Sequence, residues 1–547
     1  MTRVPILRLA LAMTVLAASF AWSSHHKPLP AAALESLRAI PIQHSGRVKP
    51  LDSFARETLE LLTGSPRVGH LDPVQAVLSM MADPDYWSGE AILSVPFRPL
   101  REALNLDPKK THVSLGELLA GRELMRMLPA IVEKQQANEK LTMLENETMD
   151  LYNRFVTFDQ LTKQELNLVT PPSAQEAVWL SILEPAGYEW KKGESMKSAW
   201  TGFVDSVRSG TDEEIVLTAR VLKAELASAS PTHYPSGWRL SLEVLYHSLS
   251  PFRWARWAYL MAAVALGVSC VWGGRWLAGA GFLGMGLAFL MHVGGIAARV
   301  IVGGRPPVSN FYESMLWLAF VAVLLAIIFE AIYRVRYFGL CASILAAVTL
   351  LLADHLPLDP SISPVVAVLR SNLWLTVHVL TIVASYGALA LGVIMAHIYA
   401  GMYLVHGRGH EGLRPLDTWV YRSLQVGIVL LAAGIMLGAV WANASWGRYW
   451  GWDPKETWAL VTLLWYIAML HGRFSGWIRG AGFALATIAG FFFLLMTYYG
   501  VSFYLVGLHS YAGGNAKPLP PLLIAYFAAE IAFIAVVGLK ARGLVRA

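Results

Sequence analysis

Residues Met315 to Tyr333 read MLWLAFVAVLLAIIFEAIY, an apolar run in which Glu330 is the only charged residue. Its length is close to the ~20 residues that a helix needs to cross the hydrocarbon core of a bilayer. Only helices and closed barrels satisfy their backbone hydrogen bonds in lipid. The sequence therefore predicts a helical membrane protein, because such runs recur nine times after Trp254, centred on 257–272, 277–300, 315–333, 337–353, 374–397, 423–441, 458–471, 481–504 and 521–539.

The residues before Trp254 differ in character and begin with a further apolar run, Ile6 to Trp22. That run is either a signal peptide or an N-terminal anchor, and we favour the anchor because the cleavage site at Ser19-Phe20-Ala21 is weak. The stretch that follows is rich in charge and shows helical spacing. We predict an all-α polytopic membrane protein of about nine to ten transmembrane helices, divided into a membrane anchor or signal (1–24), a mostly helical extracytoplasmic soluble domain (25–252) and a transmembrane domain (253–547).

Composition supports a membrane protein and argues against nucleic-acid binding. The 547 residues are 55% hydrophobic and 15% charged, and their mean hydropathy is +0.47. The net charge of +6 combines a front half at −4 with a basic, apolar half at +10 from Pro251 onward. Such a half suits membrane loops better than a solvated nucleic-acid surface. The two cysteines, Cys270 and Cys341, lie in apolar runs, and the absence of a C-x-x-C-H stretch excludes a c-type cytochrome.

The basic residues also predict an orientation. With the N-terminus inside, the cytoplasmic connections carry 11 basic residues against 8 in the outer segments, as the positive-inside rule requires. The soluble domain then lies on the outer, periplasmic side of a bacterial inner membrane. Five outer cations flank the outer loops and indicate an anionic ligand there: Arg299, Arg305, Arg370, Arg448 and Lys455.

The most informative outer segment reads Trp446-Gly-Arg-Tyr-Trp-Gly-Trp-Asp453-Pro-Lys-Glu456-Thr-Trp458, with Trp441 just upstream. Its aromatic rings offer apolar area and stacking to a flat ligand, and its two cations can pair with carboxylates at the edge of that ligand. The alternative is an aromatic belt at the membrane interface. A belt accounts for scattered Trp and Tyr but not for so dense a mixture with Asp, Glu, Arg and Gly.

This segment resembles the tryptophan-rich WWD signature of haem-handling proteins, in the form W-G-x-x-W-x-W-D-x-K-E of the CcsA (ResC) cytochrome c biogenesis family rather than of the CcmC or CcmF branches. Three further stretches fit the same family, so the resemblance covers essentially everything from 254 onward. They are Gly304-Arg-Pro-Pro-Val-Ser-Asn310-Phe-Tyr-Glu313-Ser, Leu369-Arg-Ser-Asn-Leu-Trp374-Leu-Thr-Val-His378 and Gly500-Val-Ser-Phe-Tyr-Leu-Val-Gly-Leu-His509-Ser-Tyr511.

The resemblance implies three haem-iron ligands: His378 and His509 at the outer face, and His471 in the membrane near the inner face. A neutral imidazole is a good axial ligand for iron. Structural roles are favoured for His292 and His397, with His292 as the reserve candidate for an iron ligand. His355 is expected to be solvated. Catalytic residues stay unassigned, with Asp453 and Glu456 as candidates. The remaining residues implied to contact haem are Trp446, Trp450, Trp452, Asp453, Trp458 and Arg448.

The function implied is cytochrome c biogenesis. Haem b, bound as substrate, would be attached covalently to two cysteine thiols of apocytochrome c, which is cytochrome c synthase (haem lyase) activity. A haem exporter or chaperone that forms no bond is the alternative, whereas an assembly factor without haem leaves the histidines unexplained. Residues Pro41 to Phe54 resemble the stretch before the CcsA portion of fused CcsBA proteins. A complete fusion would begin with more spans, so we expect a CcsB/ResB-like membrane subunit as partner, besides membrane lipid and without nucleic acid.

Overall fold

A computed structural model describes residues 27–172, 178–229, 234–356, 358–364, 372–509 and 519–543. The chain divides into two compact units, Met1–Ser248 and Leu249–Ala547, which are called the front unit and the membrane unit below. The predicted N-terminal anchor and the outer cation Arg370 lie outside the described residues.

The front unit is mostly helical, and its core encloses large aromatic side chains that are fully buried, among them Trp87, Phe158, Trp200 and Phe203. Capping boxes start two of its helices at Ser114 and Thr142. Its helices are α1 (Ala31–Arg38), α2 (Leu51–Thr63), α3 (Pro73–Ala82), α4 (Pro84–Gly89), α5 (Arg98–Ala103), α6 (Leu115–Gly121), α7 (Glu123–Gln136), α8 (Met143–Thr162), α9 (Trp190–Ser209), α10 (Asp212–Ala229) and α11 (Gly237–Leu249).

Two short antiparallel strand pairs complete this unit, and their members are β1 (Pro41–His44), β2 (Arg47–Pro50), β3 (Leu93–Ser94) and β4 (His112–Val113). Positive φ angles at Ser45 (50°) and Gly46 (78°) close the β1–β2 hairpin in a two-residue turn. Arg47 on β2 binds the buried carboxylate of Glu243 on α11, with Nη2 and Oε1 2.6 Å apart. Since an unpaired buried charge is costly, this ion pair fixes the hairpin against α11.

The membrane unit is a bundle of long apolar helices. In the described part of the chain, eight helical segments are long and apolar enough to cross a membrane. The prediction of an all-α polytopic membrane protein is thereby confirmed. The helices of the unit are α12 (Pro251–Trp272), α13 (Arg275–Gly303), α14 (Phe311–Tyr333), α15 (Tyr337–His355), α16 (Asn372–Trp374), α17 (Leu380–His406), α18 (Leu413–Trp446), α19 (Pro454–Phe474), α20 (Ala481–Leu495), α21 (Val501–Tyr504) and α22 (Pro521–Ala541).

Helix α19 contains the short predicted span 458–471 and is not one of the eight segments, although it has 21 residues. Lys455 and Glu456 at its start and His471 and Arg473 at its end lower its mean hydropathy, because charged side chains and imidazole are much more polar than the aliphatic side chains of its centre. The helix is therefore long enough to cross a bilayer but is more polar than its neighbours.

Helices α17 and α18 pack closely through glycines on α18. A Cβ atom at Gly434 would lie 2.6 Å from Cδ1 of Ile382, and one at Gly438 would lie 2.7 Å from Cε1 of His378. Small residues at a membrane helix interface permit such close backbone approach. The glycines thus bring the start of α17, and His378 with it, directly against α18.

Candidate functional site

A cavity of about 410 Å³ lies in the membrane unit and is lined mainly by apolar and aromatic side chains. Its volume falls within the roughly 300–1,000 Å³ typical of small-molecule sites. The residues that line it include seven that the sequence singled out for ligand binding: His378, Trp441, Trp446, Trp450, Lys455, Glu456 and His509.

His378 lies on a π-helical turn, Leu375–Val379, that leads into α17. Its Nδ1 is 2.9 Å from the carbonyl oxygen of Gly434, and because a carbonyl only accepts, Nδ1 must carry the proton. The Nε2 of the neutral ring is then unprotonated and able to bind iron. Trp441 packs beside the imidazole, with ring centroids 5.6 Å apart. Single-turn π-helices occur frequently at functional sites.

His509 is held in the same tautomer by a carboxylate. Its Nδ1 donates to Oδ2 of Asp453 over 3.0 Å, and Trp446 meets its ring edge to face at 5.8 Å. A carboxylate that accepts from the far nitrogen of a ligating histidine fixes ring orientation and raises ligand basicity. Both histidines therefore line one cavity with Nδ1 protonated and Nε2 free to coordinate.

Asp453 is itself held in place from several sides. It is buried, and its Oδ1 accepts from the N–H of Leu508 over 2.7 Å while its Oδ2 accepts from the N–H of Lys455 over 2.9 Å. Burial alone would raise the pKa of the Asp453 carboxyl, but the hydrogen bonds from His509 and the backbone N–H groups lower that pKa to about 2. A Cβ at Gly507 would lie 2.7 Å from Oδ1, so only glycine permits this approach.

Asp453 and Glu456 form the capping box of α19. The side chain of Asp453 accepts from Lys455 N–H, while Oε2 of Glu456 accepts from the N–H groups of Asp453 at 3.1 Å and Gly451 at 2.8 Å. Such a box satisfies the free N–H groups of the first helical turn. The two candidate catalytic carboxylates thus have structural partners, and Asp453 in addition orients His509.

Lys455 is the cation among the described residues that line the cavity. Its Nζ donates to Oγ of Ser502 over 3.1 Å and lies 5.9 Å from the ring of Tyr498. Tyr498 stands on a second π-helical turn, Met496–Gly500, stacks on Phe311 at 4.6 Å and hydrogen-bonds Ser314 over 2.7 Å. Sequence reasoning missed Tyr498, because it lies inside a predicted span and just before the stretch at Gly500 that fits the family.

Four of the predicted contact residues lie outside the cavity lining: Asp453, described above, and Arg448, Trp452 and Trp458. Arg448 folds back onto its own loop, so that its Nη1 is 0.8 Å from the position of a Cβ at Gly451. Trp452 is 69% exposed and has a positive φ of 56°, a strained backbone for a large residue. Trp458 stacks on Phe493 at 6.5 Å and contributes its carbonyl to hydrogen bonds within the bundle.

His471 lies at the opposite end of α19 from Asp453. A helical rise of 1.5 Å per residue separates the two ends by about 27 Å, so His471 cannot ligate the same iron as His509. It is exposed, and its Nδ1 donates to the carbonyl of Ile467 over 2.8 Å. His471 therefore lies apart from the cavity, at the far end of α19.

Two of the predicted outer cations have protein partners instead of facing the cavity. Arg299 and Arg305 share the buried carboxylate of Glu313, at 2.9 Å and 2.7 Å. Their remaining donors hold the loop after α15 through the carbonyls of Ser361 at 3.1 Å and Ser363 at 2.9 Å. The cluster therefore shapes the loop that follows α15.

The other membrane histidines also have partners within the bundle. His292 is fully buried, donates from Nε2 to the carbonyl of Leu316 over 3.1 Å and meets the hydroxyl of Tyr259 at 3.4 Å. His397 pairs through Nε2 with Glu530 on α22 at 2.9 Å. Neither residue lines the cavity. His355 is exposed and bonds the carbonyl of Leu351 at 2.9 Å.

Comparison with known proteins places the site inside a recognised family region. Residues 308–509 match a family described as "Cytochrome C assembly protein". The chain is 32% identical over 504 residues to "Protein NrfI" of Wolinella succinogenes, covering 87% of this chain and 54% of that protein, so it spans about half the length of that relative. It is 34% identical over 295 residues to "Cytochrome c biogenesis protein CcsA" of Prochlorococcus marinus, covering 46% of this chain and 92% of that protein. The solved structure "Cytochrome c Heme Lyase CcmF" resembles 52% of this chain and 50% of its own at 16% identity and a TM-score of 0.39, too low to support a conclusion.

Proposed function

Because the chain belongs to the CcsA family of cytochrome c biogenesis proteins, we propose that it binds haem as a substrate in the cavity and promotes its attachment to apocytochrome c. The observation that carries the proposal is the pair of histidines, His378 and His509. Each has Nδ1 tied to a fixed acceptor and each lines the same cavity. Two neutral imidazoles with free Nε2 atoms are the ligand set of a bis-histidine haem.

The rest of the cavity fits a flat, largely apolar ring with acidic substituents. Trp441, Trp446 and Trp450 supply aromatic area. The indole Nε1 of Trp441 is buried and has no hydrogen-bond partner in the described part of the chain, and a ligand carboxylate would satisfy this donor. Lys455 supplies the positive charge that a propionate group requires.

The covalent step proposed is addition of a cysteine thiol across each haem vinyl group. The S–H bond breaks, a C–S bond forms, and the hydrogen is added to the other vinyl carbon, so the addition needs neither oxidant nor reductant. The protein contributes orientation, because two fixed ligands hold the ring while thiols approach its edge. Asp453 acts through His509 as a positioning residue. Glu456 completes the capping box at the start of α19 and so helps to hold Asp453 in place.

A haem exporter or chaperone is the second candidate, and the position of His471 favours it. This exposed histidine stands about 27 Å from the cavity end of α19, where it can receive haem before the outer histidines do. Export and attachment are compatible in one protein.

In this proposal a CcsB/ResB-like subunit assists, and the cavity faces the periplasmic side of the inner membrane. Cysteines introduced at Ser361 and Ser445 should then react with reagents applied from outside.

The experiment that tests the proposal measures haem per protein and the absorption spectrum of purified variants. His378→Ala and His509→Ala are each expected to lose most of the bound haem, and added imidazole should restore part of it by refilling the coordination position. His355→Ala is the matched control, because this histidine is exposed and does not line the cavity. Unchanged spectra in both ligand variants would refute the ligand assignment.

A second measurement separates attachment from export. The chain is co-expressed with its partner subunit and an apocytochrome, and covalent haem is detected in a denaturing gel. Attachment predicts loss of covalent haem in both ligand variants. His471→Ala should lower the amount of haem at the outer site without changing its spectrum. If the wild-type chain binds haem and yields none attached, the exporter alternative replaces the synthase.

A further inference from the structure

A second groove, also of about 410 Å³, opens between α13 and α14. Its walls are apolar, and one end carries charged side chains close to the point where α14 ends and α15 begins. The groove is distinct from the histidine cavity, with which it shares no lining residue. The residues that line it are Phe282 and Met285 of α13, Ile327, Glu330 and Ala331 of α14, and Arg334 and Arg336 of the following turn.

The charged end of the groove is net positive. The carboxylate of Glu330 accepts hydrogen bonds from the backbone N–H groups of Arg336 and Gly339. These N–H groups lie at the start of α15, and a helix N-terminus stabilises negative charge. The charge of Glu330 is therefore already neutralised in part by α15. Arg336 uses Nη1 to bind the carbonyl of Ser269 at 3.2 Å. Arg334 is exposed, and its guanidinium has no hydrogen bond or ion pair with the described residues.

The groove lies at one surface of the predicted membrane region. Helices α12 and α13 are joined at this end by Gly273 and Gly274, and the flanking Trp272 and Trp276 are 80% and 87% exposed. Exposed tryptophans at helix ends are typical of the headgroup level. From there the apolar walls run along α13 and α14 away from the charged end, through Phe282, Met285 and Ile327.

We propose that this groove binds an anionic phospholipid, with its phosphate at Arg334 and Arg336 and an acyl chain along the apolar walls. Basic pockets between membrane helices bind acidic headgroups through such charges. The apolar walls favour a lipid over free phosphate, which shares the headgroup chemistry but leaves them uncovered. The positive charge at the mouth favours an anionic lipid over a zwitterionic one.

The test uses the full-length protein in detergent and measures binding of fluorescent phosphatidylglycerol. Arg334→Gln should weaken binding about fivefold, the factor that corresponds to ~1 kcal/mol for one basic residue near an anionic surface. Ala331→Phe keeps every charge and fills the groove, and it should weaken binding at least as much. Arg414→Gln is the matched control, since it removes a cation that is also exposed but does not line the groove.

Several outcomes would overturn the proposal. Equal binding of phosphatidylcholine would remove the role of charge, and full competition by millimolar inorganic phosphate would assign the site to a free anion. An equal loss in Arg414→Gln would indicate nonspecific attraction. Wild-type binding by Ala331→Phe would show that the lipid does not occupy the groove. None of these results bears on haem binding, because the histidine cavity is unchanged in all three variants.

Discussion

Asp453→Asn is expected to weaken haem binding without removing a ligand. The substitution keeps the N-cap of α19, because Asn caps a helix about as well as Asp. It cannot keep all three hydrogen bonds that the carboxylate accepts, from His509, Lys455 and Leu508. If the amide oxygen faces His509, its NH₂ group meets the N–H of Leu508. If the amide is reversed, the NH₂ group meets Nδ1 and forces the proton of His509 onto Nε2.

Either arrangement of the introduced amide weakens the binding of iron by His509, by an amount that can be estimated. The first leaves a buried donor unsatisfied, at about 1–3 kcal/mol. The second blocks the nitrogen that binds iron. Loss of the outer partner of a ligating histidine typically lowers metal affinity about 10–100-fold, which equals about 1.4–2.8 kcal/mol. We therefore expect haem to dissociate from Asp453→Asn about 10–100 times more readily.

The assay is the rate at which apomyoglobin captures haem from the purified protein, together with the absorption spectrum. Asp83→Asn is the matched control, because Asp83 also caps a helix directly before a proline and accepts from the N–H of Tyr86 at 3.3 Å, without a histidine partner. Haem loss from Asp453→Asn at the wild-type rate, in a protein as stable as the control, would refute the positioning role of Asp453.

Gly438→Ala should displace the ring of His378, since the added Cβ would lie 2.7 Å from Cε1, and such overpacking costs about 1–3 kcal/mol. Haem content should fall, whereas Gly401→Ala, with no atom within 4 Å of its Cβ, should leave it unchanged. In the front unit, burial and the charge of Lys49 lower the pKa of His44 from 6.5 to about 4. As the pH falls, the unfolded chain therefore protonates His44 at a higher pH than the folded protein does. The free energy of unfolding should decline as pH falls from 6.5 towards 4. Hydrogen exchange of the β1–β2 hairpin should record this decline, and His44→Gln should reduce it.

The helical membrane fold could be predicted from the sequence because its determinants are local. The length and apolarity of a run such as 315–333 decide whether it crosses a bilayer, and a helix satisfies its backbone internally. Helix α19 differs because Lys455, Glu456, His471 and Arg473 at its ends bring its hydropathy below that of a typical span. The density of aromatic and charged residues between Trp446 and Trp458 likewise predicted a ligand-binding segment before any packing was known.

Tertiary structure alone decided how the candidate residues are used. Arg299 and Arg305 read as cations for a ligand, but packing places the carboxylate of Glu313 between them. Arg448 lies over Gly451 and does not line the cavity. Lys455 is therefore the cation that lines it among the described residues. Contacts of this kind join residues from different helices, and their geometry depends on how the helices pack rather than on spacing along the chain.

The tautomers of the two histidines are the clearest case. The sequence predicted His378 and His509 as ligands, but it could not show which ring nitrogen is free. That choice depends on a carbonyl exposed where Gly438 lets α17 approach α18, and on the carboxylate of Asp453 at the start of α19. A hydrogen bond to one nitrogen fixes the proton and thereby the nitrogen that can bind iron. The sequence predicted the two histidines and the membrane fold, and packing determined which ring nitrogen of each histidine carries the proton.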